Sequence, residues 1–444
     1  MPDKGTTTPL NALKRIAFHT LGCKLNFAES SALAKRFEQA GYTIVAADEA
    51  ADLYVVNTCT VTADAEKKCR QFIHRVHRLH PQAEIAVTGC FAELRADEIR
   101  AMEGVTHVLG TADKTQLLTM VGDGAAARPH VQAEAGFTPI HSAIGRTRSF
   151  FKVQDGCDNF CAYCAIPYAR GRSRSASIAQ TVEAAGRIAA EGYKEVVFTG
   201  VNIGDFGRKN GERFADLLRA LLRIDGIVRW RLSSIEPDLL DSEIIELVAA
   251  EPKLMPHFHI PLQAGSDAVL HAMRRRYDTA FFARKVEEIR RHLPHAFIAA
   301  DVIVGFPSES AADFEDGYRF IDSLPISALH VFSYSARPEA ASYRMANAYA
   351  PAEKEERSRR LHRLSDAKKA AFYERFAGQE AAVLWESTQL ADRTMLGYTD
   401  NYLRVAAPYD TAKINTLETV RLDTSYLHPD KDRIMTVKTP SPCK

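Results

Sequence analysis

The sequence predicts an α/β protein in three parts: an N-terminal α/β domain with a mostly parallel sheet, a central partial (β/α)6 barrel, and a small C-terminal all-β barrel. Three observations carry this expectation. Short apolar runs alternate with amphipathic helical stretches across 15–121 and again across 149–334; a stretch rich in Ala, Gly and Pro separates the two alternations; and beyond a long charged helical segment the pattern changes to short β-like runs. A chain of 444 residues also exceeds what one core usually supports, so several domains are expected.

In the first alternation the predicted strands are 16–21, 42–45, 53–57, 85–88 and 106–109. The predicted helices are 28–40, stopped by Gly41, 64–79, stopped near Pro81, and 96–103, stopped by Gly104. Parallel strands bring their carboxyl ends to one sheet edge, where open α/β sheets bind ligands. Cys23, Cys59 and Cys90 each follow such an end, in Leu21-Gly22-Cys23-Lys24, Asn57-Thr58-Cys59-Thr60 and Thr88-Gly89-Cys90-Phe91. A single cysteine is usually a small buried hydrophobe, but three at equivalent strand ends converge in space and read as a ligand set. Cys69 belongs instead to the helical stripe Ala65, Cys69, Phe72, Ile73 and Val76 and is expected in the core. Cys443, beside Thr439-Pro440-Ser441-Pro442, reads as a free thiol of the tail.

Residues 122–145 are assigned as a linker. The second alternation has strands at 149–153, 195–199, 228–233, 257–260, 297–304 and 328–334, and helices at 177–191, 214–222, 241–250, 279–292 and 311–323. Six strand-helix repeats suit an incomplete parallel barrel, whose active site forms where the strands end. Thr199-Gly200-Val201-Asn202, Ser234-Ile235-Glu236-Pro237, Ile260-Pro261-Leu262-Gln263, Asp301 to Phe306 and Tyr334 to Arg337 lie there, and their recurrence favours one shared pocket. Segment 352–376 carries eight Lys/Arg and five Asp/Glu. A solvated linker helix is its default reading, although the basic excess could track a phosphate backbone. Runs at 381–384, 395–398, 402–405, 417–422 and 434–437 then suggest a small antiparallel barrel of the kind that often binds oligonucleotides. The expected domains are therefore 1–121, the linker 122–145, 146–376 with its trailing helix, and 377–444.

Lys plus Arg number 57 against 56 Asp plus Glu, so a polyanion would have to be met by local basic patches rather than by bulk charge. No apolar run is long enough to predict a membrane span, and residues 1–9 are short, polar and Thr-rich, unlike a secretory signal. A cytoplasmic location is expected. In that reducing compartment the eight cysteines read as metal ligands, reactive thiols or core residues rather than disulfides.

The stretch Gly156-Cys157-Asp158-Asn159-Phe160-Cys161-Ala162-Tyr163-Cys164 is the most specific chemical signal. Three thiolates at Cys-x3-Cys-x2-Cys spacing, with no fourth nearby, can hold a cubane iron-sulfur cluster and leave one iron open to another ligand. Tetrahedral zinc is the alternative, but structural zinc sites usually read as two separated Cys or Cys/His pairs.

With Gly156 before it and Ala165-Ile166-Pro167-Tyr168 after it, this motif resembles the signature of radical S-adenosylmethionine enzymes. The resemblance implies that the open iron chelates the methionine moiety and that reductive cleavage gives a 5′-deoxyadenosyl radical. Tyr163 resembles the position that packs near the adenine. The order of the whole chain resembles the methylthiotransferases. In that family Cys23, Cys59 and Cys90 match the ligands of an auxiliary 4Fe-4S cluster, and Cys157, Cys161 and Cys164 match those of the radical cluster. The last domain resembles a TRAM domain, an RNA-binding barrel.

The resemblance implies a tRNA substrate presented through its anticodon loop, with no DNA or membrane partner. It also implies S-adenosylmethionine as methyl donor and radical source, together with an external electron donor and a sulfur source. Thr20-Leu21-Gly22-Cys23-Lys24-Leu25-Asn26 is most similar to the branch that modifies C2 of N6-threonylcarbamoyladenosine, with Leu25 where Val is commoner. Modification of isopentenyladenosine or of a ribosomal-protein aspartate is the alternative within the family; a non-catalytic metal-binding RNA module is the alternative outside it. Thr199, Gly200, Asn202, Ser234, Glu236 and Gln263 are the expected S-adenosylmethionine-binding residues, with Arg170 from the run Arg170, Arg172, Arg174. Ala264 stands where the family's His-x-Pro-Leu-Gln-Ser-Gly-Ser pattern often has Ser. An adenine C2 must leave its stack before it can react, so an exposed loop is the expected target; Tyr398, Tyr402 and Arg404 are the RNA-contact candidates of the last barrel, with core packing the equal alternative for either tyrosine.

Overall fold

The computed structural model describes residues 14–122, 137–143, 147–347, 349–390, 392–428 and 432–437. Most of the expected linker, including 123–136, and Cys443 lie outside these residues. The chain divides into two compact units: 1–136 with 142–144 and 168–170, and the remainder.

The first unit is built on a parallel sheet in which strand Arg15–Thr20 pairs with both Thr43–Val45 and Leu53–Thr58, followed outward by Glu84–Gly89 and Val105–Leu109. Helices Lys24–Gln39 and Ala63–Leu79 connect these strands. Ala63–Leu79 starts where the Thr62 hydroxyl accepts the Ala65 N–H, and it buries Cys69, Phe72, Ile73 and Val76 as their spacing predicts. The helix expected at 96–103 is shorter, Ala96–Arg100, and an unpredicted short helix, Cys90–Leu94, precedes it.

In the second unit six parallel strands follow one another in chain order. Ser149–Lys152, Glu195–Thr199 and Arg229–Arg231 form one ladder, and His257–Gln263, Phe297–Val304 and Ala328–Ser333 another. The ladders meet through the bridges Trp230 to Leu254 and Ser234 to His259. This is the incomplete barrel that the repeats predicted. Side-chain caps set the helices between strands: Ser177 and Ser310 form capping boxes with Gln180 and Asp313, and Asp241 and Asp278 accept the N–H of Ile244 and Phe281. Alternate strand residues such as Phe198, Phe258, Ile260, Ala300 and Val302 pack into the helix-side core.

Ile140–His141, inside the stretch assigned as linker, adds a short antiparallel edge to Ser149–Lys152. Helix Pro351–Glu374 leads to a closed five-stranded barrel. That barrel is not wholly antiparallel as expected, because Arg404–Pro408 and Arg433–Val437 pair in parallel. Among the described residues no helix is long and apolar enough to cross a membrane.

Candidate functional site

In the first unit the strand ends bring three thiols together. Cys23 caps helix Lys24–Gln39, Cys59 follows strand Leu53–Thr58, and Cys90 opens helix Cys90–Leu94. Two glycines make the approach possible. At Gly22, where φ is 103°, a Cβ would lie 2.8 Å from the Cys59 Cβ and 3.0 Å from its Sγ; at Gly89, where φ is 101°, it would lie 2.4 Å from the Thr58 carbonyl oxygen.

Burial pushes the Cys59 thiol up to about 12, with Cys90 and Cys23 adding to the shift, and it pushes Cys90 up as well. Such thiols stay protonated unless a cation replaces the proton. An iron cluster supplies that charge, so this donor set fits one.

Beside the thiols lies a buried polar group that no sequence motif singles out. Arg170 donates to Glu29 Oε1 at 3.0 Å and also to the Asn26 side chain. Lys114 donates to Glu29 and, at 3.1 Å, to Asn57 Oδ1. Asn26 in turn donates to the Leu21 and Thr58 carbonyls, which tie down the segments before Cys23 and Cys59. Two cations against one carboxylate leave a net positive charge, and Arg170 and Lys114 both pull down the Cys90 thiol that burial raises. Arg170, expected on S-adenosylmethionine, is thus placed in this group of the first unit. The nearest sequence signal is Asn26 and Asn57 inside the cysteine motifs; Glu29 and Lys114 carry none.

In the second unit, Cys157, Cys161 and Cys164 occupy the loop after Gln154–Asp155. Gly156, with φ 70°, passes so close to Arg172 that a Cβ would lie 2.1 Å from its carbonyl oxygen. The Asn159 and Ile166 N–H groups donate to the sulfurs of Cys157 and Cys164, each at 3.4 Å, and Arg275 Nη1 donates to Cys161 Sγ at 3.1 Å. Burial raises Cys157 to about 11 and Cys164 to about 12, again a set that needs a cation to ionise.

Arg275 ties this loop to the strand ends. It pairs with Glu236, donates to Tyr163 Oη at 3.4 Å and to Tyr277 Oη at 3.0 Å. Burial pushes the Glu236 carboxyl up, against the pull of Arg275. Asn159, Cys161, Glu236, Asp238, Arg275 and Tyr277 line a small cleft. Arg275 is not predicted, because within Arg274-Arg275-Arg276 it reads as part of a solvated run.

Thr199 is buried, and Gln154 Oε1 accepts the N–H of Val201 and Asn202, at 3.0 and 2.9 Å, to shape the Gly200 turn. Asn202 Oδ1 accepts the Glu236 N–H at 3.4 Å, while its buried Nδ2 has no hydrogen-bond partner among the described residues. An orphaned amide donor next to Glu236 fits a polar ligand group. Gln263 holds φ at 72°, at a register shift between Pro261 and Gln263, the kind of strained turn found at ligand sites. Ser234 lies instead on His259, its Oγ 2.9 Å from Nδ1.

Tyr398 and Tyr402, expected to meet RNA, stack on each other with centroids 4.9 Å apart, and Arg148 lies 4.0 Å over Tyr398 while Arg231 lies 4.8 Å over Tyr402. Their rings are used in internal packing, and Arg404 pairs with Asp432 at 2.8 Å. Of the two readings held open for the tyrosines the structure shows the packed one, since a strand pattern does not reveal which face packs against a neighbour.

Comparison with known proteins agrees with this geometry. Residues 15–110 match the model of Uncharacterized protein family UPF0004, and residues 151–321 match that of the Radical SAM superfamily. The threonylcarbamoyladenosine tRNA methylthiotransferase MtaB of Bacillus subtilis (strain 168) is 38% identical, across 88% of this chain and 89% of that protein; its counterpart from Aquifex aeolicus (strain VF5) is 36% identical across 88% and 96%. A tRNA-2-methylthio-N(6)-dimethylallyladenosine synthase of Geobacter sulfurreducens is 32% identical across 96% and 98%. Among solved structures, the radical S-adenosylmethionine methyltransferase TsrM from Kitasatospora setae, with cobalamin and a 4Fe-4S cluster bound, superposes with a TM-score of 0.53 over 74% of this chain and 77% of that one. At 15% identity this likeness speaks for the fold alone. The chain belongs to the radical S-adenosylmethionine methylthiotransferase family and is most similar to its MtaB-type branch.

Proposed function

We propose that the chain is a tRNA methylthiotransferase that places a methylthio group on C2 of N6-threonylcarbamoyladenosine next to the anticodon. The observation that carries this reading is the identity of 38% to the Bacillus subtilis enzyme along 88% of the chain. The two cysteine triads at strand ends supply the ligands that such chemistry needs.

When bound, two 4Fe-4S clusters and S-adenosylmethionine supply an attachment point for sulfur, a methyl group and a radical able to activate a C–H bond. In this proposal Cys23, Cys59 and Cys90 hold the auxiliary cluster and Cys157, Cys161 and Cys164 the radical cluster. Arg275 holds Cys161 and Glu236 in one arrangement, with Glu236, the orphaned amide of Asn202 and the Thr199-Gly200 turn presenting polar groups to S-adenosylmethionine. The Gln263 turn, pinned by the Tyr277 hydroxyl donating to the Leu262 carbonyl at 3.1 Å, closes that set. In this reading 1–121 serves the auxiliary cluster, 146–376 the radical chemistry and 377–444 RNA binding. An external electron donor and a sulfur source complete the reaction, and a reducing cytoplasm is the compartment that keeps six ligand thiols available.

Mass spectrometry of nucleosides from tRNA of a deletion strain tests the assignment. Loss of methylthio-threonylcarbamoyladenosine, restored by the wild-type chain, is the expected result. An unchanged level in a strain with no other such enzyme would reject the substrate.

A further inference from the structure

Inside the incomplete barrel, three adjacent strands present a side-chain cluster that the family's two cysteine triads leave unused. His259 stands on His257–Gln263, Asp301 on Phe297–Val304 and His330 on Ala328–Ser333. Asp301 and His330 are direct register partners, and Asp301 lies two residues beyond Ala299, the partner of His259. The intervening Phe258, Ile260, Ala300, Val302 and Leu329 belong to the helix-side core, so the three polar residues share the opposite face of the ladder.

Their donor atoms converge. His259 Nε2 lies 2.5 Å from Asp301 Oδ1, His330 Nδ1 lies 3.1 Å from the same oxygen, and the two ring nitrogens are 3.1 Å apart. Asp301 Oδ1 can accept a hydrogen bond from each ring, and the same three donor atoms also lie close enough together to serve as one ligand set. An ion set to one side of the triangle can instead lie about 2.1 Å from all three atoms, the usual metal–nitrogen and metal–oxygen length. Two imidazoles and one carboxylate on one face of an ion form the facial arrangement that suits divalent first-row metals and leaves further positions open.

A supporting hydrogen bond is present behind the ligands. Ser234, bridged to His259 from the segment after Arg229–Arg231, holds its Oγ 2.9 Å from His259 Nδ1; when it accepts that N–H, Nε2 is the nitrogen that turns its lone pair to an ion. His330 is 48% exposed in its side chain, so an ion can reach the triangle from solvent.

We propose that His259, Asp301 and His330 form a mononuclear site for a divalent transition-metal ion, separate from both cysteine sets, with Ser234 orienting His259. The ion's remaining positions take water or an oxygen donor.

Zinc chloride is the probe. Anaerobic, cluster-loaded full-length protein is equilibrated with it and freed of loosely held ion by gel filtration, and zinc and iron are then measured together by inductively coupled plasma mass spectrometry. The wild type is expected to keep stoichiometric zinc with its iron undiminished. His330→Ala and Asp301→Asn are expected to lose the zinc while retaining iron and near-ultraviolet circular dichroism. Ser234→Ala is expected to weaken zinc about tenfold against a chromophoric chelator, as for loss of an outer hydrogen bond to a ligand. Should Asp301→Asn fail to fold, the half-exposed His330 position decides alone. No retained zinc in the wild type, or equal zinc in the His330→Ala variant, overturns the proposal. Zinc gained at the expense of iron also overturns it, because the ion then sits on the cluster cysteines.

Discussion

Arg275 donates a hydrogen bond to Cys161 Sγ at 3.1 Å, so a buried guanidinium rests on one of the three sulfurs proposed to hold the radical cluster. The same side chain pairs with Glu236 at the end of the neighbouring strand. Charge on a ligand sulfur is thereby coupled to the position of a carboxylate proposed to meet S-adenosylmethionine.

Replacing Arg275 with Met removes a charge-assisted hydrogen bond worth about 1.5–3 kcal/mol, or about 10- to 100-fold in rate if it acts in the rate-limiting step. The expected outcome is slower formation of 5′-deoxyadenosine and a more negative midpoint potential of the radical cluster, read by redox titration with electron paramagnetic resonance. Arg275→Lys should recover part of both, since lysine restores the charge but not the fork. An unchanged potential in Arg275→Met would leave the residue a purely structural role.

Two separate cysteine sets predict separable losses. Cys161→Ala should abolish S-adenosylmethionine cleavage. Cys59→Ala should leave some cleavage to 5′-deoxyadenosine while ending methylthio transfer, with iron content lowered in both. Equal loss of both activities in both variants, with the fold intact, would contradict distinct roles for the two sets.

The buried Glu29, Lys114 and Arg170 group predicts an asymmetry between its members. Lys114→Met leaves Glu29 paired with Arg170 and should cost little stability, whereas Glu29→Gln removes the carboxylate charge that both buried cations share and should cost about 3–5 kcal/mol. Urea unfolding of the two variants measures this. Lys114→Met should also move the auxiliary cluster to a more negative potential, because a positive charge beside Cys90 is lost. If Lys114→Met were the more destabilising change, the charge count behind the argument would be wrong.

These predictions rest on residues of unequal visibility in the sequence. Strand and helix positions are legible because burial on one face imposes a period, and the cysteines because three thiols at strand ends, or three within eight residues, suit little besides metal ligation. Helix starts such as Asp241 and Ser177 read as helical and prove to be caps, a difference of one residue that periodicity cannot resolve. Glu29, Lys114 and Arg275 are invisible because a buried ion pair is made by residues far apart in the chain, each of which looks solvated on its own. Tyr398 and Tyr402 are ambiguous in another way: aromatic residues on a strand suit a stacking platform or core packing equally, and only the neighbouring Arg148 and Arg231 show the rings packed from within.

Glu195 predicts how acid acts on the second unit. Its carboxylate is fully buried, with Arg231 Nε at 2.8 Å, Arg229 at 3.6 Å and Arg148 at 3.7 Å. These guanidiniums reach on to the C-terminal barrel, Arg229 to the Ala382 and Tyr398 carbonyls, Arg231 to Thr399 and Asp400, and Arg148 to Glu386. Burial pushes the Glu195 carboxyl up, but Arg231, Arg148 and Arg229 outweigh it and hold the group at about 2, below its ordinary 4.5. A carboxyl depressed in the folded state stabilises fully above its unfolded value and loses that contribution as pH falls from about 4.5 towards 2, in all about 3 kcal/mol. Glu195→Gln should therefore destabilise the protein at about pH 7 by about 3–5 kcal/mol, since buried Arg229 and Arg231 lose the carboxylate they pair with and Arg148 is left with Glu386. The gap to wild type should then narrow as pH falls below 4.5. Trp230 and Trp385, both buried and one in each barrel, report the unfolding by fluorescence, and the difference between variant and wild type at each pH cancels acid effects on the clusters. A gap that stays constant from about pH 7 to about pH 3 would show that the Glu195 charge does not hold these arginines in place.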